Sequence, residues 1–228
     1  MGRTAREPIG LELSDHRGEE YGEHVRDQLF SLIDKPLGVV LDIGCARGAG
    51  AAAMRTRDAV RLVGLEIDLA YVEAARAQYD EVVAGSVDDP LPWPDESFDT
   101  VLCYDVLEHT YDPWSSLRRI RCVLRRGGRL HVSFPNARNI DFWRPLLLKG
   151  TFGYESAGLR DVTHIRFSTR RDLVDMIEAA GYKILDVEPT GTADTSRKRR
   201  IAIAATRGSA VDFFAYQWVV LAEPCASD

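Results

Sequence analysis

Val39-Val40-Leu41-Asp42-Ile43-Gly44-Cys45-Ala46-Arg47-Gly48-Ala49-Gly50 begins as a short apolar run and ends in glycine. The run has the composition of a fully buried parallel strand. An acid stands at its end, glycines follow, and Ala51-Ala52-Ala53-Met54 reads as the start of a helix. Glycines at a strand-to-helix turn permit positive φ and let a ligand approach the backbone closely. Open α/β sheets bind ligands in the crevice at the carboxyl ends of their strands. A nucleotide-like cofactor is therefore expected at this turn.

The segments on either side repeat the pattern. A helix is expected over about residues 19–35, ended by Pro36 and Gly38, with Tyr21 and His16 near the crevice or on the surface. Arg61 to Leu65 reads as a second strand closed by Glu66, about 20 residues beyond the first glycine of the turn. From there a carboxylate can accept both hydroxyls of a ribose. Asp68 has the spacing to cap the helix that follows. Glu81 to Ala84 is a third strand, and Gly85-Ser86-Val87-Asp88 a loop facing the crevice. Asp99 to Cys103 is a fourth strand, followed by Tyr104, Asp105 and the Glu108-His109 pair, then a helix from Pro113 to Leu124 and a fifth strand from Arg129 to Phe134. Five alternations of strand and helix predict a parallel sheet with right-handed crossovers.

The alternation then stops. Residues 135–168 read as a long irregular stretch carrying Phe142, Trp143, Phe152, Tyr154 and Phe167, a length that marks a substrate lid. Its aromatic residues either stack on a ring or form the lid's own small core. Thr169 and Asp172 form a capping box for a helix ending near Ala180. Tyr182 to Val187 is a sixth strand, and Phe214 to Ala222 a last one pairing antiparallel beside it.

The totals limit the function. The 228 residues fit one domain, 1–228, and the net charge of −6 gives no general attraction to nucleic acid or anionic membrane. The basic run Arg197 to Arg200 is one cluster on an acidic chain and reads as a solvated face or a contact to an acidic substrate. No apolar run is long enough to span a bilayer, and residues 1–10 lack the apolar core of a secretory signal. Cys45, Cys103, Cys122 and Cys225 are scattered, without metal-ligand spacing; Cys103 and Cys122 read as buried free thiols. A reduced, cytoplasmic protein with no metal site is expected.

Taken in order, L-D-I-G-C-A-R-G, G-L-E-I-D, P-D-E-S-F-D-T-V-L-C-Y-D-V-L-E-H and L-R-R-G-G-R-L-H-V-S-F-P-N resemble the class I S-adenosylmethionine-dependent methyltransferases, over about residues 21–222. The nearest likeness is to the branch of ubiquinone-type O-methyltransferases and methionine-biosynthesis-associated methyltransferases. The resemblance implies a Rossmann-like three-layer α/β sandwich, with a seven-stranded, mostly parallel sheet whose strand seven is antiparallel. It implies S-adenosyl-L-methionine as cofactor. Asp42 would approach its methionine amine through the turn, and Gly44, Cys45 and Gly48 would bring the backbone close. Glu66 would hold the ribose and Ile67 would pack on the adenine. The loop Ser86, Val87, Asp88 would meet the adenine amino group, with Ser86 where the family usually has an acid. Tyr104 and Asp105 would line the methionine end. Ala46 replaces the middle glycine of the family's turn, which a negative φ would accommodate.

Methyl transfer from a sulfonium needs alignment and exclusion of water, and no metal. His109, at the end of strand four, and His164, in the lid with Asp161 to orient it, are the candidate catalytic bases. Asn136 either donates to an acceptor oxygen or caps its turn. A small-molecule acceptor methylated at O or N is expected (a secondary metabolite, sugar or quinone), with no nucleic-acid or membrane partner and a possible homodimer through the aromatic lid. Two other classes share a glycine-rich cradle. A nicotinamide-dependent oxidoreductase would need G-x-G-x-x-G, which Gly44, Gly48 and Gly50 do not fit; a non-catalytic cofactor-binding module would need no acceptor site.

Overall fold

β-Branched and leucine-rich runs, each ending in a turn residue, form seven strands: β1 (Gly38–Ile43), β2 (Ala59–Glu66), β3 (Glu81–Ala84), β4 (Phe98–Cys103), β5 (Leu124–Pro135), β6 (Tyr182–Thr190) and β7 (Gln217–Pro224). The computed structural model describes residues 27–191, 201, 203–206 and 210–225. The strands make one sheet in the order β3-β2-β1-β4-β5-β7-β6. β1 to β5 pair in parallel, whereas β7 runs antiparallel to β5 on one side and to β6 on the other. The expected β6–β7 pairing is present, and β7 is also the strand that joins β6 to the parallel part. Chain order reverses between β1 and β4, which makes their carboxyl ends the switch point where an open α/β sheet offers a crevice.

Alternation along β1 divides the core between two layers. Leu41 and Ile43 face α3 (Pro113–Val123) and α5 (Arg170–Ala179), in a cluster with Leu117, Ile120 and Ile177. Val40 faces the other way, toward α1 (Ala51–Arg55) and α2 (Leu69–Ala75), with Met54, Leu62 and Ala75. With a period of two, Asp42 falls on the same side as Val40. α2 starts at Asp68, whose carboxylate accepts from the Ala70 and Tyr71 amides. The Thr169–Asp172 capping box starts α5 as expected.

Three expectations are corrected. Residues 135–168 are not irregular throughout, because Ile140–Lys149 is a helix, α4. Pro145 lies inside it and cannot bond the carbonyl four residues back. That carbonyl, on Asp141, instead accepts from the Arg160 guanidinium. Asn139 caps its start and Gly150, at φ 63°, ends it. Cys122 is exposed, not buried, since Leu117, Ile120 and Val123 form the inward stripe of α3 and Cys122 lies off it. Ala46 has a φ of 47°, in the left-handed region. The helix expected over 19–35 is described only from Asp27, as a short 3-10 turn to Phe30; His16, Tyr21 and Arg197 to Arg200 lie outside the described residues. Among these, no helix is long and apolar enough to cross a membrane.

Candidate functional site

A cavity of ≈ 420 Å³ opens at the carboxyl ends of β1, β2 and β4. Its base is the Gly-rich turn. Gly44 has a φ of 72°, and a Cβ there would come within 2.6 Å of Val106 Cγ2, so the turn can lie against the loop after β4 only as glycine. Gly64 makes similar room on β2, since a Cβ there would meet Cys45 Sγ at 2.6 Å. Glu66 joins the two strand ends. Its carboxylate, 5% exposed, accepts the Ala46 amide at 2.9 Å on Oε2 and the Asp68 amide at 2.9 Å on Oε1. Left-handed backbone costs a non-glycine residue about 1–2 kcal/mol, and the Ala46 amide bond to Glu66 offsets part of that cost. Each Glu66 oxygen retains a lone pair for a ligand.

Asp42 sits deeper. Tyr79 donates its hydroxyl to Asp42 Oδ2 at 2.5 Å. Burial pushes the Asp42 carboxyl up to about 7; the Tyr79 hydrogen bond opposes that rise and the nearby Glu66 adds to it. A buried acid poised in this way becomes fully ionised when a cation comes beside it. Sequence reasoning did not find Tyr79, because just beyond α2 it reads as an ordinary packing aromatic.

Above the turn lie the β3 and β4 loops. Ser86 Oγ accepts the Asp88 amide at 3.1 Å, and Asp88 Oδ1 accepts from Ser116 Oγ at 2.9 Å. Ser86, Val87, Asp88 and Ile67 all line the cavity, as do Tyr104 and Asp105. Asp105 has a φ of 55°; its amide donates to Ser133 Oγ, which in turn donates to Asp105 Oδ1 at 2.8 Å. The Tyr104 hydroxyl is buried with no hydrogen-bond partner among the described residues. Of the predicted cofactor residues, Gly48 alone is not in the lining. A Cβ on it would meet Gln78 Cβ at 3.1 Å, so its role is to let the turn pack on the residues after α2.

Residues 161–166 meet the loop after β4 at Glu108 and His109. His109 lines the cavity and His164 stands behind it, their rings meeting edge to face with centroids 4.9 Å apart. His109 Nδ1 lies 3.2 Å from the Thr163 carbonyl and 3.1 Å from Thr163 Oγ1. A carbonyl only accepts, so Nδ1 carries the proton and Nε2 the lone pair. Asp161 accepts from the Thr163 amide at 2.8 Å and hydroxyl at 2.7 Å, so it backs His109 through Thr163, and its carbonyl accepts the His164 amide at 3.1 Å. His164 is held down to about 4 by burial first and by His109 beside it second. Asn136 is consumed by structure: Nδ2 donates to the Asp212 and Ala215 carbonyls, and Oδ1 accepts the Arg138 amide. The lid aromatics pack on one another around Phe142, edge to face with Trp143, Phe152 and Phe167.

Residues 41–132 match a methyltransferase domain family. The chain is 37% identical over 120 residues to the 27-O-demethylrifamycin SV methyltransferase of Amycolatopsis mediterranei, a match covering 49% of this chain and 44% of that one. It is 28% identical over 171 residues to the ubiquinone biosynthesis O-methyltransferase of Aeromonas salmonicida, covering 71% and 70%. A solved S-adenosylmethionine-dependent methyltransferase from Archaeoglobus fulgidus has the same fold, with a TM-score of 0.64, 16% identity and coverage of 90% and 97%. The chain thus spans less than half the length of the rifamycin relative.

The cavity suits S-adenosyl-L-methionine, the cofactor of that family. The chain offers a carboxylate with spare lone pairs for two ribose hydroxyls at Glu66, and a buried acid for an ammonium group at Asp42. It adds the orphaned Tyr104 hydroxyl and a turn where a Cβ at Gly44 would collide.

Proposed function

We propose that this chain, which belongs to the class I S-adenosylmethionine-dependent methyltransferases, moves a methyl group to an oxygen or nitrogen of a small molecule. The observation that carries the reading is one cavity lined both by the Asp42–Glu66 cradle and by His109. Bound S-adenosylmethionine supplies a methyl group already activated by its sulfonium. The protein's own part is to bind, align and exclude water. Glu66 and Asp42 hold the cofactor's ribose and amine, Ile67 and Val87 flank its base, and Asp105, fixed by Ser133, borders its methionine end. His109 is the side chain through which the acceptor is activated, with its tautomer set by Thr163; His164 supports it from the lid.

O-methyl transfer is named for the ubiquinone relative, and a demethylated rifamycin for the other. Hydroxyls of quinone-like and rifamycin-like compounds are therefore the first acceptors to test, ahead of sugars and amines. The experiment is calorimetry with S-adenosylmethionine and with NAD, followed by S-adenosylhomocysteine release over a panel of such hydroxyls. Binding of the first ligand alone, with turnover on at least one hydroxyl, is expected. Binding of NAD alone would overturn the reading, and S-adenosylmethionine binding without turnover on any acceptor would favour a non-catalytic module.

A further inference from the structure

The loop after β4 and the lid bring Glu108, His109 and His164 together, and we propose that these side chains bind a divalent transition-metal cation beside the acceptor wall of the cavity. One ligand-type atom from each lies within 4.8 Å of the others. Glu108 Oε1 and His164 Nε2 are 4.0 Å apart. Ligands held at about 2.1 Å from one tetrahedral cation stand about 3.4 Å from each other, so the widest pair must close by about 1.4 Å, shared between two side chains, as the cation enters. The members lie far apart in the chain: Glu108 and His109 end the β4 loop, and His164 comes from the lid. Their meeting is not a by-product of local sequence.

Two further observations support a cation. The Glu108 and His164 side chains are 1% and 7% exposed, so the donor atoms sit within protein, where a carboxylate and two imidazoles gain most from a shared cation. His109 also has the outer contacts of a metal-bound imidazole. Its Nδ1–H points to the Thr163 carbonyl and hydroxyl, and the hydroxyl is backed by the Asp161 carboxylate. In such ligands one ring nitrogen donates to a carbonyl or carboxylate while the other carries the metal. That leaves His109 Nε2 as the ligand atom. Two imidazoles and one carboxylate suit zinc, iron(II), cobalt(II) or manganese(II) better than calcium or magnesium. Three protein ligands also leave coordination positions for a substrate.

His109 lines the cavity, which gives the cation a path in and its open positions a direction. The role in catalysis rests on the methyl-transfer reading. An acceptor hydroxyl bound to the cation loses its proton to water near neutral pH, as metal-bound water does. His109 then serves as a ligand rather than as a free base.

Cobalt(II) is the probe. The full chain, stripped with a chelator, is titrated with cobalt(II) by calorimetry and visible absorption, with thermal unfolding as the check on folding. A single saturable equivalent is expected, with d–d bands and no thiolate charge-transfer band. Glu108→Gln and His164→Ala should each weaken binding at least about 100-fold, and Thr163→Ala about 10-fold, as outer partners do. Absence of saturable binding, a thiolate band, or undiminished affinity in folded variants would overturn the site. Should the variants not fold, paramagnetic shifts of the His109 and His164 ring protons in the unsubstituted protein decide the matter, and their absence overturns it. S-adenosylmethionine calorimetry on the same samples separates the two ideas. That cofactor bound without cobalt refutes the metal site alone; cobalt bound at these residues without the cofactor upholds the site and refutes the methyl-transfer reading.

Discussion

The two walls of the cavity are assembled differently. On the cradle side, Glu66 reaches the Ala46 amide across 20 residues, and both ends are fixed by neighbouring parallel strands already in register. On the acceptor side, His109 takes its orientation from Thr163, 54 residues away, through a lid whose own order comes from an aromatic cluster and the Arg160 contacts. The cradle therefore inherits the rigidity of the sheet. Residues 140–167 are held by their small aromatic core, the Arg160 contacts and two amide bonds to the Glu108 carbonyl, and elements with few buried contacts open first. A cofactor cradle common to many methyl transfers and an acceptor wall that can differ between them follow from that division.

Glu66→Ala gives the largest effect. It removes the proposed ribose acceptor and the bond to the Ala46 amide, and hydrogen bonds to a charged group contribute roughly 1.5–3 kcal/mol each. S-adenosylmethionine affinity should fall by two orders of magnitude or more by calorimetry; an unchanged affinity would end the ribose assignment and with it the contrast between the walls.

Phe142→Ala tests the other wall. Phe142 is 4% exposed at the centre of the lid cluster, and truncating a buried phenylalanine costs about 3–5 kcal/mol. Faster proteolysis within residues 140–167 is expected, with cofactor affinity changed less than about threefold because the cradle does not depend on the lid. An equal loss of cofactor binding would show that the walls are coupled.

The smallest effect concerns pH. Asp42 has its folded-state carboxyl raised to about 7 from an ordinary value of 3.8. Below 3.8 both folded and unfolded chains hold the proton, and this group takes nothing from stability. Between 3.8 and about 7 the unfolded chain releases it while the folded chain keeps it, so stability declines with rising pH across that window and levels off above it. Binding of an ammonium group needs the ionised form, so cofactor affinity should rise with pH through about 7. Tyr79→Phe deletes the hydrogen bond that favours ionisation and should move that midpoint upward, with a loss of about 1 kcal/mol at neutral pH. A midpoint that stays in place in calorimetry across pH would separate Tyr79 from the site.

Much of the cradle was legible because it obeys local rules. The strand-end acids Asp42 and Glu66, the turn at Gly44 and the Ser86–Asp88 loop follow from strand period, glycine spacing and the switch-point geometry of parallel sheets. Ala46 was readable as an exception but not as a left-handed residue, since its amide bonds the Glu66 carboxylate, which comes from the next strand. The break in the strand–helix alternation over 135–168 was legible from its length and aromatic content. The helix within it was hidden by Pro145, because the guanidinium that satisfies the freed Asp141 carbonyl comes from Arg160, well downstream.

By itself, then, the sequence determined the order of the strands, the place of the glycine-rich turn and the residues at the strand ends, because hydrophobic period and turn chemistry act over a few residues. Tertiary structure alone decided the insertion of β7 between β5 and β6, the pairing of Tyr79 with Asp42, the commitment of Asn136 to its turn, and the meeting of Glu108, His109 and His164. Each of these joins groups tens of residues apart, and such contacts are selected by packing of the whole core rather than by any local preference of the chain.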